Sequence, residues 1–260
     1  MSIIHFAHAN GFPARTYTKL FDQLPKHEVR RIEMHGHDPV YPVTDGWGRL
    51  KDELRDDIKR RFEEPVIGIG HSLGGLLHLM VAAEEPQLYR RLILLDAPVI
   101  SRLSSRGLYL MKTFRLIDRL TPSRVTRYRR RTWATQEEAL EHFRAKPMFK
   151  AFDPDVLADY VRFGTNETTN GVELAFQPKI EAAIYRTLPH HMPQLKKRLT
   201  VPAAFIGGTD SREGRLARLG FMKKNFPFDI YSINGSHLFP LENPIGTAKI
   251  VKQILDNENR

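Results

Sequence analysis

The residues best suited to covalent chemistry lie in the segment Gly70-His71-Ser72-Leu73-Gly74. This segment follows a β-branched run, Val66–Ile69, and precedes an apolar run, Leu76–Ala83, an order that predicts a tight turn from a strand into a helix. A serine on such a turn is held in a strained backbone conformation, and small residues two positions before and after it let the turn close. The two flanking glycines meet this demand, so we predict that Ser72 is a nucleophile.

A serine hydroxyl becomes an effective nucleophile only beside a base, which in turn needs an orienting carboxylate. His237 lies in a loop just after the last predicted strand, and we predict that it is the base. Two aspartates are candidates for the acid: Asp210, after the run Ala203–Ile206, and Asp96, after the run Leu92–Leu95. Both lie at the carboxyl end of a predicted strand, the edge where open α/β sheets bind ligands.

Backbone N–H groups near the turn are placed to bind a developing oxyanion. The helix start behind Ser72 supplies the N–H of Leu73 and a positive dipole end. We expect a second donor from the loop His8-Ala9-Asn10-Gly11-Phe12-Pro13, where the N–H groups of Asn10 and Phe12 are both candidates and the Asn10 side chain could instead bind substrate. The predicted oxyanion and substrate-binding set is Leu73, Asn10, Gly11, Phe12 and His71.

In four motifs the sequence resembles the α/β-hydrolase superfamily. They are the loop His8-Ala9-Asn10-Gly11-Phe12-Pro13, the turn around Ser72, Ile206-Gly207-Gly208-Thr209-Asp210, and Gly235-Ser236-His237 followed by Leu241-Glu242-Asn243-Pro244. Their order, nucleophile then acid then histidine, is that of the family. The first loop departs from the family's adjacent His-Gly pair by two inserted residues.

The resemblance also bears on the choice of the acid. Asp210 occupies the commoner position of the acid in this superfamily, so we predict that Asp210 orients His237. Asp96 occupies the position that some lipases of the superfamily use instead, and it stays the alternative acid.

Six short apolar runs alternate with helical patterns along most of the chain. The runs are Ile3–Ala7, Val29–Ile32, Val66–Ile69, Leu92–Leu95, Ala203–Ile206 and Ile230–Ile233. This alternation predicts an α/β fold with about six mostly parallel strands flanked by helices. It stops between Pro98 and Leu199, where we expect helices and loops without strands. We therefore predict an α/β-hydrolase core at residues 1–98 and 199–260 with a helical cap inserted at 99–198; the resemblance further implies that the family's antiparallel first hairpin is missing.

The composition narrows the classes of protein. The chain has 260 residues, of which 41% are hydrophobic and 27% charged, as in an average globular protein. It contains no Cys, which excludes disulfides and thiolate metal sites. The histidine pairs at 35/37 and 190/191 have no evident further ligands, so we expect neither a metal nor an organic cofactor. No apolar run is long enough to span a membrane and the start does not resemble a secretory signal, so we expect a cytoplasmic protein.

Charge is concentrated in one part of the predicted cap. Of the formal net charge of +10, residues 102–131 carry +9, because this stretch holds ten basic residues and one acid, Asp118. Within it, Ser104–Leu120 predicts an amphipathic helix with an apolar stripe of Leu110, Met111, Phe114, Ile117 and Leu120. Three explanations stand: a lid that packs its stripe over the pocket with solvated charges, attraction of an anionic or lipid-like substrate, and docking on an anionic membrane. We expect no nucleic-acid partner, because the basic run lacks interleaved aromatic residues.

These features together favour a serine hydrolase that cleaves a carboxylic ester or thioester with a hydrophobic acyl or aromatic group through an acyl-enzyme. The aromatic residues of the cap favour such a group over a sugar or peptide. The same three residues support carbon–carbon bond hydrolysis, acyl transfer or perhydrolysis in similar proteins, and these alternatives stay open. A ligand-binding or interaction protein on the same scaffold is the alternative without catalysis.

Overall fold

The computed structural model describes residues 2–217 and 219–256. In this part of the chain, strands β1 to β9 are Ser2–Ala7, His27–Arg31, Val66–His71, Tyr89–Leu95, Thr132–Trp133, Thr165–Thr168, Gly171–Leu174, Ala203–Gly208 and Phe228–Ile233. Helices α1 to α13 are Thr18–Phe21, Gly48–Arg61, Leu73–Glu84, Arg102–Thr113, Ile117–Leu120, Ser123–Arg127, Gln136–Arg144, Pro154–Gly164, Pro178–Arg186, Arg212–Ala217, Gly220–Asn225, Phe239–Glu242 and Pro244–Asp256. Short 3-10 turns lie at Ala14–Tyr17, Asp45–Trp47, Pro86–Leu88, Pro147–Phe149 and Met192–Lys197.

Six strands form the central sheet in the order β2-β1-β3-β4-β8-β9. Every neighbouring pair in this sheet is parallel. The prediction of about six mostly parallel strands is confirmed, and each predicted apolar run overlaps one of these strands. The sheet brings the carboxyl ends of β1, β3, β4 and β8 to one edge, which is the edge that the candidate site occupies.

Helices cover both faces of the sheet, because its strands are apolar on both sides. Within β4, Ile93 and Leu95 pack into one core cluster, whereas Leu92 and Leu94 pack into the other. Helix α2 is one of these helices, and its Leu50, Leu54 and Ile58 are buried against the second cluster. Burial of this kind, about 25 cal/mol for each Å² of apolar surface, supplies most of the free energy that stabilises such a sandwich.

The inserted segment between β4 and β8 contains a small antiparallel sheet, in the order β5-β7-β6. The expectation that this segment contains no strand is therefore wrong. Its strands are only two to four residues long, and β6 is largely exposed and polar, so neither length nor alternation indicated them. Gly171, with a φ of 123°, makes the reversal between β6 and β7, a backbone region that glycine adopts without strain.

The helix predicted over residues 104–120 is divided. Helix α4 ends at Thr113, Arg115 has a φ of 57°, and α5 begins at Ile117. The predicted stripe does not pack inward as one surface: Ile117 is buried, but Leu110 and Phe114 are exposed. α4 instead buries Ser105 and Leu108, on its opposite side.

Among the described residues, every helix is too short or too polar to cross a bilayer.

Candidate active site

Ser72 lies between β3 and α3 on a turn with unusual backbone geometry. Its φ is 52° and its ψ is −112°, a region that residues other than glycine rarely occupy. The Ser72 N–H donates to the Leu95 carbonyl oxygen at 3.0 Å, and the Ser72 carbonyl accepts from the Leu76 N–H at 3.1 Å. The turn is thereby held from both sides, by the neighbouring strand and by the helix that it starts.

Three glycines let the turn approach its surroundings. A Cβ on Gly70 would lie 2.4 Å from the backbone of Gly74, and a Cβ on Gly75 would lie 2.5 Å from the Ala97 Cβ. A Cβ on Gly74 would lie 2.0 Å from the Ala7 carbonyl oxygen at the end of β1. The last contact is with backbone, which cannot move aside as a flexible side chain can.

We expect Gly74→Ala to destabilise the protein by about 3 kcal/mol or more, at the upper end of overpacking effects. The added methyl must displace either α3 or the end of β1. Gly107→Ala is the matched control, because Gly107 lies in α4 with nothing within 4 Å of its added Cβ, and alanine there should be neutral or stabilising by up to about 1 kcal/mol. Urea unfolding measures both; equal stability of the two variants would contradict the tight approach.

Asp96 and His237 form the closest ionisable pair at this edge. The His237 Nδ1 lies 2.6 Å from the Asp96 Oδ2. Asp96 is fully buried, and its carboxylate also accepts from the Ser211 hydroxyl at 2.5 Å and from the Gly208 N–H at 3.2 Å. A buried carboxylate with three donors is fixed in place, so it can hold the imidazole in one orientation.

This placement corrects the predicted acid, because the carboxylate bonded to His237 is that of Asp96 and not that of Asp210. Asp210 lies on the exposed side of the turn after β8, with its N–H donating to the Gly235 carbonyl at 2.9 Å. The next residue, Ser211, turns inward and donates to Asp96. Since β4 lies between β3 and β8, Asp96 is also one strand nearer to Ser72.

The pKa of His237 is raised above its ordinary value. Burial by itself lowers this pKa, but the hydrogen bond and charge of Asp96 outweigh it, and Glu213 adds a smaller contribution in the same direction. The Glu213 Oε2 lies 3.9 Å from Nδ1. Potential ligand atoms of Asp96, Glu213 and His237 fall within 4.8 Å of one another, but the Asp96–His237 hydrogen bond already accounts for their proximity, and we assign no metal to them.

His71, next to Ser72, connects the loops around the site. The His71 Nε2–H donates to the His237 carbonyl at 2.8 Å, and the Tyr17 hydroxyl donates to Nδ1 at 2.7 Å. The same hydroxyl accepts from the Ala9 N–H at 3.3 Å. Burial holds the pKa of His71 well below its ordinary value, so the ring is neutral and carries the single proton this chain of bonds requires. His71, predicted to bind oxyanion or substrate, is thus engaged in positioning the His237 loop.

The loop that bears His237 is braced from its other end by Glu242. Glu242 accepts from the Ser236 N–H at 2.9 Å and from the Ser236 hydroxyl, which itself accepts from the Leu238 N–H at 3.0 Å. Gly235, with a φ of 142°, allows the chain to turn after β9 so that Ser236 reaches Glu242. From the sequence, Glu242 was named only as part of a motif. Its role here depends on its contact with Ser236, which the spacing of residues does not reveal.

The candidate backbone donors near Ser72 differ from the predicted ones. The Phe12 N–H donates to the Ala9 carbonyl at 3.1 Å, which removes Phe12 from the candidate donors. The turn that this bond closes has Asn10 and Gly11 at its centre, and Gly11 has a φ of 85°. Among the described residues the N–H groups of Asn10 and Gly11 have no acceptor, and Leu73 is the first residue of α3, where helical N–H groups lack intrahelical partners.

The Asn10 side chain links the first loop to the segment inserted between β4 and β8. Its Nδ2 donates to the Glu181 carbonyl of α9 at 3.0 Å, and the Glu181 carboxylate lies against Gly11, 2.7 Å from where a Cβ would be. That carboxylate forms a 2.7 Å ion pair with Arg129. Burial raises the pKa of Glu181, against the charge of Arg129. Neither Glu181 nor Arg129 was singled out from the sequence, because their pairing joins α9 to the end of the basic run, 52 residues apart in number.

Ser72 and His237 are brought to the same edge but are not bonded in the described structure. Among residues 2–217 and 219–256, no hydrogen bond joins the Ser72 hydroxyl to His237, although the His237 ring lies 5.1 Å from the ring of the adjacent His71. Because Nδ1 is engaged by Asp96, Nε2 is the ring nitrogen left for a proton from Ser72. Catalytic hydrogen bonds are often long or absent before substrate binds.

Comparison with known proteins gives the family. The model of the alpha/beta hydrolase family matches residues 6–250. The chain belongs to this family. An abhydrolase domain-containing protein of Alternaria alternata is 26% identical over 177 residues, which is 66% of this chain and 56% of that protein. The matched region thus spans little more than half the length of that curated relative.

Solved structures of other alpha/beta hydrolases share the fold. E-2-(acetamidomethylene)succinate hydrolase superposes with a TM-score of 0.78 at 17% identity, covering 98% of this chain and 91% of that one. An esterase of M. tuberculosis gives a TM-score of 0.73 at 19% identity, covering 98% and 86%. A thioesterase domain from the curacin biosynthetic pathway gives 0.72 at 15%, covering 96% and 90%. These likenesses show that the fold is shared and leave the substrate open.

Proposed function

We propose that this alpha/beta hydrolase is a serine hydrolase that cleaves a carboxylic ester or thioester through an acyl-enzyme. The observation that carries the proposal is the 2.6 Å bond between His237 and the buried Asp96 at the sheet edge that holds Ser72. A buried carboxylate on Nδ1 fixes the imidazole tautomer and stabilises the imidazolium that forms during catalysis.

The proposed reaction begins with attack of the Ser72 hydroxyl on the carbonyl carbon. His237 Nε2 takes the hydroxyl proton and then gives it to the leaving alcohol or thiol as the carbonyl re-forms. The N–H of Leu73, with that of Asn10 or Gly11, holds the oxyanion of each tetrahedral intermediate. Water, deprotonated by the same His237, then releases the acid and restores Ser72.

The aromatic packing of the cap supports a hydrophobic acyl or aromatic group. Phe12, in the loop of the proposed oxyanion donors, packs against Phe149, Phe152 and Tyr160 with ring centroids 5.5 to 6.4 Å apart. These rings are almost fully buried and form an apolar cluster beside the loop. An acyl chain packed against this cluster would lose water contact, and each buried CH₂ contributes about 0.8 kcal/mol to binding.

The proposal is tested with a fluorophosphonate probe and p-nitrophenyl esters of increasing acyl length. We expect one probe per chain, located on Ser72 by peptide mass spectrometry. We also expect a higher kcat/KM for butanoate than for acetate, by roughly tenfold for the two added methylenes. Labelling elsewhere, or no labelling together with no ester turnover, would overturn the proposal. Labelling with a preference for acetate would keep the serine hydrolase and remove the hydrophobic acyl group.

A further inference from the structure

An apolar stripe on α4 faces away from the protein. Leu103, Leu110 and Phe114 are 79%, 52% and 68% exposed, and their spacing of seven and four residues places them on one side of the helix. The opposite side is attached to the cap: Ser105 donates to the His190 carbonyl, and the Lys112 ammonium donates to the Leu188 carbonyl at 2.9 Å. α4 therefore has a fixed orientation with its most apolar side in solvent.

The exposed apolar surface continues past α4. Leu120 at the end of α5, Val125 in α6 and Tyr128 after it are each more than half exposed. We call the surface formed by residues 102–128 the cap face. Large apolar residues grouped in one segment of a surface mark an interaction site far more often than scattered ones do.

The cap face and its border carry a strong positive charge without local compensation. Residues 102–131 contain seven exposed arginines that have no carboxylate of the described residues within 4.0 Å. They are Arg102, Arg106, Arg115, Arg119, Arg124, Arg127 and Arg131. The whole chain has a formal net charge of only +10. The positive charge of the protein is therefore concentrated on the side where the apolar residues of the cap face are exposed.

We propose that the cap face binds the surface of an anionic lipid bilayer. Exposed leucine, valine, phenylalanine and tyrosine side chains would enter the boundary between headgroups and acyl chains, while the surrounding arginines bind phosphate groups. A second copy fits this surface poorly, because an isologous contact would bring two strongly positive faces together. A polynucleotide would satisfy the arginines but would leave the aliphatic side chains in water.

The cap face is joined to the candidate active site through the residue that follows it. Arg129 turns inward, where its guanidinium pairs with Glu181, and Glu181 lies against Gly11 in the loop of the proposed oxyanion donors. Binding at the cap face therefore places this loop close to the lipid surface. The lipid inference itself rests on the exposed surface and holds whether or not the proposed reaction does.

Cosedimentation of the full chain with vesicles tests the inference. We expect binding to phosphatidylcholine vesicles that contain about a third phosphatidylglycerol, weaker by tenfold or more with phosphatidylcholine alone, and weakened by salt. Leu110→Ser with Phe114→Ser should weaken binding to the anionic vesicles by roughly tenfold or more, since each side chain would lose the burial of an apolar group. Arg102→Gln with Arg106→Gln should weaken it by at least about tenfold.

Matched controls lie elsewhere on the surface. Ile245→Ser removes an apolar side chain that is 56% exposed, and Arg30→Gln with Arg90→Gln removes two exposed charges; these variants should bind as the parent does. Unchanged far-ultraviolet circular dichroism checks the fold of each variant. Equal binding to neutral and anionic vesicles, or equal losses in controls and cap-face variants, would overturn the inference. Two further outcomes would overturn it. If sedimentation velocity shows a self-association that the Leu110/Phe114 variant abolishes, the cap face binds a second copy. If the protein binds a homopolymeric RNA in preference to vesicles, the cap face binds a polynucleotide.

Discussion

Ser72→Ala is expected to lower kcat for ester hydrolysis on the order of 10⁵-fold or more and to abolish fluorophosphonate labelling, because it removes the attacking oxygen. The fold should persist, since the strained turn is held by the backbone bonds of residue 72 to Leu95 and Leu76, which alanine keeps. Steady-state hydrolysis of p-nitrophenyl butanoate and gel-based labelling measure the two effects.

Ser232→Ala is the matched control for this variant. Ser232 lies exposed in β9, and its replacement should leave labelling and turnover unchanged. If Ser72→Ala kept labelling, another nucleophile would carry the reaction. If it kept hydrolysis of the ester but lost labelling, the turnover would come from general base or surface chemistry, and the acyl-enzyme proposal would fail.

The turn that holds Ser72, the proposed nucleophile, could be predicted from the sequence because its constraints are local. A strained turn between a strand and a helix needs glycines at fixed offsets from Ser72, and those offsets are visible in the chain. The strands were predictable for the same kind of reason: a buried parallel strand is a continuous apolar run, and Val66–Ile69 and Leu92–Leu95 are both of this kind. The parallel order then brings their carboxyl ends together.

The sequence could not decide whether Asp96 or Asp210 bonds to His237, because two strands each end near an aspartate. Position along the chain cannot show which side chain turns inward. The decision lies in the turn after β8, where Asp210 faces solvent and Ser211 faces Asp96. Asp96 itself has a φ of 40°, a conformation uncommon for residues other than glycine that sequence does not signal.

The cap departs furthest from expectation. Periodicity indicated an amphipathic helix but left open whether its apolar side packs over the pocket or meets a lipid surface. The left-handed backbone at Arg115 divides the helix, and the contacts of Ser105 and Lys112 orient α4 so that Leu103 and Phe114 face solvent. Hydrophobic periodicity shows which side of a helix is apolar. Tertiary contacts decide whether that side packs against the protein or faces solvent.

Asp96→Asn is expected to lower kcat/KM by about 10³- to 10⁴-fold, the size of effect seen when an orienting carboxylate becomes an amide that favours the wrong imidazole tautomer. Asp210→Asn is its matched control: the same substitution at an exposed aspartate after the neighbouring strand, where we expect a change within about threefold, as for surface substitutions in general. Both variants alter a single oxygen to nitrogen, so a difference between them reports the buried hydrogen bonds of Asp96 to His237, Ser211 and Gly208 and not bulk or general loss of charge.

The pH dependence separates an orienting role of Asp96 from a structural one. In the parent, the proposed base His237 can accept a proton only when neutral, and its raised pKa places the acid limb of kcat/KM at higher pH than an ordinary histidine would, with activity lost as the pH falls through that pKa. In Asp96→Asn the charge that raises the pKa is gone while burial, which lowers it, remains, so the residual activity should have its acid limb at lower pH. Asp210→Asn should leave the limb in place. A large loss of kcat/KM in Asp210→Asn with a small loss in Asp96→Asn would show that Asp210, at the commoner position of the family, is the acid. A loss of kcat/KM in Asp96→Asn without a shift of the acid limb would mean that Asp96 supports the fold of the site and not the titration of His237.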